Sequence, residues 1–305
     1  MQVGIDVGAT KIETVLLEQD GQERFRSRIS CPKNYTQIIT SIKDIHKKLE
    51  QEFKQDLPIG VCHPGVHSPQ TGLVKNVPNI SWLEKKPFQS DLRKALGKEV
   101  FCENDANCFA LSEAIDGSGA NYNTVWGVVI GSGFGGSFVH NKKVVEGVNQ
   151  VAGDWGHQPL PYPRKEEWDL NLKCPVDNCG RPLCAEQFIS GIGFTNIFNR
   201  KYKTNFTTKE IVDLELNGDE RAKKEFDLYE DRFARLIAVM IGIVDPDVII
   251  LGGGMSNIER LYSNIPKLLP KYTFSDKVRN KILRNTHGDS SGVRGAAWLW
   301  DSDKF

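Results

Sequence analysis

Three short glycine loops, each directly behind an apolar run, give this sequence its clearest chemical signature. The first is Gly8-Ala9-Thr10-Lys11 behind residues 3–7, the second Gly131-Ser132-Gly133-Phe134-Gly135-Gly136 behind 125–130, and the third Gly252-Gly253-Gly254 behind 248–251. A strand that ends in small residues lets backbone N–H groups approach phosphate oxygens, because a Cβ there would hold the anion away. Asp6, Thr10 and Lys11 surround the first turn with a carboxylate, a hydroxyl and an ammonium. A magnesium nucleotide needs that set: Asp6 for hydrated Mg²⁺, Thr10 and Lys11 for phosphate oxygens. Any one loop could be a plain turn with a solvated lysine, but three together favour phosphate binding through Gly8, Gly131, Ser132, Gly133, Gly252, Gly253 and Gly254. The Walker pattern GxxxxGK[ST] does not occur, and the first turn leads into a strand, which excludes the dinucleotide fingerprint.

A second constellation is Cys174, Cys179 and Cys184 with His157. Three thiolates and an imidazole make a closed tetrahedral Zn²⁺ site with no open position, hence a structural metal. Seven cysteines, an odd number spread along the chain, do not form a paired disulfide framework. Cys31, Cys62, Cys102 and Cys108 lie in or beside apolar runs and read as small core residues. Asp105 follows Asn104 where a strand at 100–103 gives way to a helix at 106–114. It has two readings at that place, a helix cap or a carboxylate positioned to take a proton.

These groups need a scaffold, and hydrophobic patterning supplies one. Residues 3–7 and 12–17 read as a hairpin, 36–54 as an amphipathic helix, 59–62 as a buried strand and 91–96 as a short helix. In the second half, 125–130 and 137–140 read as strands, 219–243 as a long helix, 248–251 as a buried strand and 288–300 as a terminal helix. The strand and glycine turn recur in both halves, so the fold class is α/β with two related lobes. The expected division is 1–116 plus 290–305 for a small lobe and 117–289 for a large lobe carrying the zinc loop. The 305 residues carry 39 Lys and Arg against 39 Asp and Glu, so no net charge draws the chain to nucleic acid or an anionic membrane. The apolar run 236–244 stops at Asp245-Pro246, too short to span a bilayer. The first residues lack a basic-then-apolar leader, so a cytoplasmic protein is expected.

The segments IDVGATK, ENDANCFALSEA, IGSGFGG, DWGH, CGRPLCAEQFISG, DPDVIILGGGMSN and HGDSSGVRGAA together resemble the ROK family of bacterial sugar kinases and sugar-responsive repressors, over essentially the full chain. Within that family the resemblance is read as nearest to the fructokinase and mannokinase branch, with the N-acetylglucosamine kinase branch as runner-up. It implies the two-lobed fold of actin-like ATPases and sugar kinases, with ATP in a cleft and a hexose beneath its γ-phosphate. It assigns Asp105, second of the Asn-Asp pair, as catalytic base, and Gly65, Asn79, Asn104, Asp154, His157 and Glu186 to the sugar. The chain departs from the family at Asp154, where Glu-x-Gly-His is usual, at Ala9 in place of a glycine, and in the zinc loop. There the first cysteine stands five positions before Cys179, and Leu183 replaces a glycine. A gap of up to four residues lies within the usual zinc range.

The expected activity is transfer of the γ-phosphate of ATP to the 6-hydroxyl of a hexose, fructose or mannose first, with N-acetylglucosamine or glucose as alternatives, by a homodimer using Mg²⁺ and structural Zn²⁺. A non-catalytic sugar-sensing regulator is the alternative of another class. Repressors of that kind carry an N-terminal helix-turn-helix, for which a first strand at residue 3 leaves no room. A catalytically dead sugar-binding protein is opposed by the intact Asp6, Thr10, Lys11 and Asp105.

Overall fold

Two apolar runs separated by Gly8, Ala9 and Thr10 pair antiparallel as β1 (Gln2–Val7) and β2 (Lys11–Leu17), and the Gly8 N–H closes the turn on Lys11 O at 2.9 Å. The computed structural model, which describes residues 1–77, 80–170, 179 and 181–300, extends this hairpin with β3 (Glu23–Ser30). The sequence reading misses β3 because its Glu, Arg and Ser residues sit on a solvated edge and give no apolar run. The chain continues through α1 (Tyr35–Phe53), β4 (Ile59–His63), β5 (Val66–His67), β6 (Val74–Lys75), α2 (Phe88–Leu96), β7 (Phe101–Asn104) and α3 (Asp105–Ile115). Next come β8 (Thr124–Ile130), β9 (Phe134–His140), β10 (Lys143–Val144), α4 (Lys165–Asp169), α5 (Glu186–Ile189) and α6 (Gly191–Tyr202). The last elements are α7 (Thr208–Leu216), α8 (Glu220–Val244), β11 (Val248–Gly252), α9 (Arg260–Leu268), β12 (Lys281–Arg284) and α10 (Ser291–Trp298).

One five-stranded sheet has the order β3-β2-β1-β4-β7 and another the order β10-β9-β8-β11-β12. The chain divides into two compact units. The first comprises Met1–Asn123, Ser137–Ala152 and the chain from Thr286 onward; the second comprises Thr124–Gly136 and Gly153–Asn285, the division passing through β9.

In the first unit, Val3, Ile5, Ile59 and Val61 form a core with Ile38, Ile42 and Leu49 of α1 and Phe88 of α2. Each such side chain contributes about 1.5–3 kcal/mol by leaving water. Helix α10 packs on β1, β4 and α3, and missing side chains set how closely. A Cβ on Gly4 would lie 2.1 Å from Val293 O, one on Gly60 1.9 Å from Ala296 O, and one on Gly295 1.8 Å from Cys108 O. The buried Glu113 carboxylate then accepts hydrogen bonds from the N–H groups of Ser118, Thr286 and His287 and from Ser291 Oγ at 3.0–3.2 Å, fastening the start of α10 to α3.

In the second unit, α8 begins at an Asp219 cap that accepts from the N–H groups of Arg221 and Ala222. It buries Phe226, Tyr229 and Phe233 along one face. The same helix buries Arg232 and Arg235, and both bond Glu167 of α4, Arg232 Nε at 3.0 Å. Among the described residues no helix is long and apolar enough to cross a membrane.

Candidate functional site

At the end of β1, Asp6 is paired in register with Cys62 of β4. Burial pushes its carboxyl up to about 6, against a lowering hydrogen bond from the Cys62 thiol; the carboxylates of Asp105 and Glu13 raise it further. A crowded, desolvated carboxylate of this kind is relieved by a cation, which fits the Mg²⁺ role read from sequence. The fit is close on the helix side, since a Cβ on Gly292 would lie 3.5 Å from Asp6 Oδ2 and 3.6 Å from Cys62 Sγ. Thr10 is exposed at the turn. Lys11 Nζ lies 3.0 Å from Glu13, a buried carboxylate that also bonds Arg26 and Arg28.

The N-cap of α3 is not Asp105. Asn104 is the N-cap of α3, its Oδ1 accepting from Asn107 N at 2.7 Å, and Asp105 is the first helical residue. Its carboxylate accepts from the neighbouring Ala106 N at 3.0 Å. With the capping done by Asn104, the Asp105 carboxylate is available for other work. It is reachable by solvent yet closely surrounded by protein, and that desolvation raises its pKa above the ordinary range against the lowering backbone hydrogen bonds of Ala106 and its own N–H.

A residue that the sequence reading missed stands beside this pair. Glu103 accepts from Asn104 N at 2.7 Å and bonds the Asn107 side chain, whose Oδ1 takes the hydroxyl of Ser137. Burial pushes Glu103 up to about 7. Its place immediately before Asn104 in the ENDAN segment was the available signal. Gly65 has φ +81°, and a Cβ there would sit 2.5 Å from Lys75 O, so the turn from β4 into β5, lying against β6, itself requires glycine. His63 packs in the core with its ring edge-on to Phe88. Asn79 lies outside the described residues.

The second unit brings two glycine loops together. A Cβ on Gly253 (φ +76°) would lie 2.5 Å from Ile130 O and 3.0 Å from Gly131 N, while Gly131 and Gly254 have open space where a Cβ would stand. Ser132 is exposed between Gly131 and Gly133, and Gly252 ends β11. Glu186, buried at the start of α5, accepts from Phe134 N at 3.0 Å, and its carboxylate lies 3.0 Å from where a Gly133 Cβ would be. Asp154 is exposed, and Trp155 beside it is buried with its ring centroid 4.1 Å from Trp126 and 4.6 Å from Phe134.

His157, Cys179 and Cys184 converge. Cys179 Sγ is 3.8 Å from Cys184 Sγ, Cys184 Sγ is 3.7 Å from His157 Nδ1, and the three ligand atoms lie within 4.8 Å of one another. Zn–S bonds of about 2.3 Å and Zn–N bonds of about 2.0–2.1 Å at tetrahedral angles put ligand atoms about 3.5–3.8 Å apart, a range that the Cys179–Cys184 and Cys184–His157 separations match. The expected fourth ligand, Cys174, lies outside the described residues. Leu183, where the family pattern has glycine, takes φ +54° while buried, a left-handed conformation that glycine would adopt without strain.

The model described as ROK family matches residues 2–303. The chain belongs to the ROK family. It is 38% identical over 303 residues, covering 98% of this chain and 99% of the relative, to the N-acetyl-D-glucosamine kinase of Haemophilus influenzae (strain 86-028NP). The N-acetyl-D-glucosamine kinase of Histophilus somni (strain 129Pt) is 37% identical over 305 residues, at 98% and 99% coverage. Among solved structures, the ROK hexokinase from Thermus thermophilus matches with a TM-score of 0.87 over 99% of both chains at 24% identity. The α/β fold is therefore the one implied by the sequence motifs.

Proposed function

We propose that this chain is an ATP-dependent kinase that transfers the γ-phosphate to the 6-hydroxyl of N-acetylglucosamine. The order of the sequence expectation is thereby reversed, the fructokinase and mannokinase branch giving way to its runner-up. What supports the choice of sugar is that relatives more than a third identical over nearly the whole chain are N-acetyl-D-glucosamine kinases. The observation that carries the phosphotransfer reading is Asp105, a carboxylate freed from capping by Asn104 and raised toward proton affinity.

In this reading the Asp105 carboxylate accepts the proton of the sugar hydroxyl as that oxygen bonds the γ-phosphorus and ADP leaves. Asn104, with donor and acceptor atoms, and the Gly65 backbone would hold ring hydroxyls, as would Asn79, Asp154, His157 and Glu186. The N–H groups around Gly8, Gly131, Ser132, Gly133 and Gly252–Gly254, with Thr10 and Lys11, would take phosphate oxygens. Asp6 would hold hydrated Mg²⁺, which supplies charge neutralisation on the phosphates. His157, Cys174, Cys179 and Cys184 would hold a structural zinc. An ADP-release assay over N-acetylglucosamine, glucose, mannose and fructose tests the reading: N-acetylglucosamine should give the highest kcat/KM, and equal or greater turnover of fructose or mannose would overturn it.

A further inference from the structure

The first unit contains a cavity of about 170 Å³ beside, but not among, the residues assigned above to sugar and phosphate. Val66 and His67 of β5, Glu103 of β7, Asn107 of α3, and Glu146 and Gln150 beyond β10 line it. Its place in the fold ties it to the candidate sugar residues. Val66 follows Gly65 in the chain, and Asn107 is the residue whose N–H is capped by Asn104. Room is ample: a single water needs about 10–15 Å³, less than a tenth of the space present.

The lining is specific in its chemistry. The Nε2 atom of His67 is buried and has no hydrogen-bond partner among the described residues. Its ring stands edge-on to His63 at 4.8 Å, and His63 in turn spends its Nδ1 proton on Pro64 O at 2.9 Å. Glu103 brings a carboxyl group fixed by Asn104 N and the Asn107 side chain. Gln150 adds a carboxamide at the half-buried rim, and Val66 an apolar wall. Among the described residues no Lys or Arg lines the cavity while two carboxyl groups do, so a phosphate or carboxylate is a poor occupant. A neutral amide satisfies the set: its N–H needs an acceptor, its carbonyl a donor, and its methyl group apolar contact.

We propose that this cavity receives the 2-acetamido group of the sugar, with the imidazole of His67 facing the amide carbonyl, the Glu103 carboxyl facing the amide N–H, and Val66 against the methyl. The proposal rests on the N-acetylglucosamine reading and adds to it the residues that separate that sugar from glucose, whose 2-hydroxyl would leave the same polar atoms without partners.

The test compares kcat/KM for N-acetylglucosamine and for glucose in the full chain, in wild type, His67→Phe and Val66→Phe. His67→Phe keeps a ring against His63 while removing the nitrogen; Val66→Phe fills the cavity from a half-buried position, and either variant suffices should the other fail to fold. The ratio of the two kcat/KM values should fall at least tenfold, the scale set by losing a buried hydrogen bond to a substrate amide. A wild type that prefers N-acetylglucosamine, with the ratio unchanged within twofold in the folded variants, would overturn the cavity assignment and leave the kinase reading standing. Should wild type prefer glucose or another unsubstituted hexose, the choice of N-acetylglucosamine fails, and the cavity assignment with it.

Discussion

Replacing Asp105 by Asn separates catalysis from helix capping at one position. The side chains are nearly isosteric, and Asn retains an oxygen for the Ala106 N–H that Asp105 bonds at 3.0 Å. Because the cap of α3 is Asn104, its bond to Asn107 N at 2.7 Å is untouched. What is lost is the proton acceptor, worth roughly 10² to 10⁴ in turnover. At about 1.36 kcal/mol per tenfold this is about 2.7–5.4 kcal/mol of transition-state stabilisation. Stability moves the other way. Surrounding protein raises the Asp105 pKa in the native state, so the native state binds that proton more tightly than the unfolded chain does. This contribution favours folding below the unfolded pKa and is lost as pH rises through the folded one, above which the ionised group is a cost that Asn removes. Steady-state kinetics should therefore show kcat down by at least a hundredfold with sugar and ATP affinities within a few-fold, and Tm at or above wild type. The pH profile gives an independent check: wild-type kcat should fall as pH drops through the raised Asp105 pKa, and the residual activity of the variant should lack that limb. Turnover within tenfold of wild type, combined with a Tm several degrees lower, would mean that Asp105 is structural and that the base lies elsewhere.

Other outcomes follow from the same structure. Protein purified without added metal should contain about one zinc per chain by elemental analysis, and Cys184→Ser should bring the content near zero; freshly reduced wild type without zinc would refute the site. Asp154→Glu, restoring the methylene usual in the family, should change sugar KM or the ranking of hexoses by about 1 kcal/mol with the KM for ATP nearly constant; no change in either would show that Asp154 does not touch sugar. Gly295→Ala should unfold or strongly destabilise the chain in thermal melts, since its Cβ would stand 1.8 Å from Cys108 O, whereas Gly292→Ala, with nearest atoms at 3.5 Å, should leave Tm within a few degrees. The homodimer expectation has a surface to test in the exposed Val239, Ile243 and Val244 of α8: Ile243→Glu should convert a dimer to a monomer in sedimentation, and an unchanged dimer would exclude that face.

Much of the fold was legible because its signals were local and strong. The hairpin of β1 and β2, helix α1 with Ile38, Ile42 and Leu49 buried at helical spacing, and the long helix α8 all announce themselves by apolar period. The elements missed were those whose pattern is set by surroundings. Strand β3 is an edge with mostly polar residues, and α5 is one turn held in place by Glu186 N bonding Gly156 O at 2.9 Å. The candidate site divided in the same way. Glycine loops and the Asn104–Asp105 pair are contiguous in sequence and could be found there. By contrast, the bond of Cys62 to Asp6, the chain from Ser137 through Asn107 to Glu103, and the approach of Gly292 to Asp6 join residues far apart in sequence. No pattern in one sequence reports such pairs.

Within the second unit, the thiol cluster and the glycine loop are mechanically one object, and Gly156 is their junction. Its carbonyl accepts both the Cys184 thiol, at 3.1 Å, and the Glu186 N–H, at 2.9 Å. A short ladder continues the link, Ala185 N to Gln158 O at 2.8 Å and Leu160 N to Leu183 O at 2.7 Å. On its other side Gly156 lies so near Phe134 that a Cβ would be 2.0 Å from Phe134 O, and Phe134 N is the donor to the Glu186 carboxylate. The carboxylate read as a sugar ligand is thus fixed at one end by the backbone of the 131–136 loop and at the other by a segment two residues from a candidate metal ligand. A metal that closes His157, Cys179 and Cys184 would restrain this junction from one side, and the buried Trp155 restrains it from the other. With such a metal bound, the cysteines would orient Glu186 and the glycine loop, next to a Leu183 that holds a left-handed backbone.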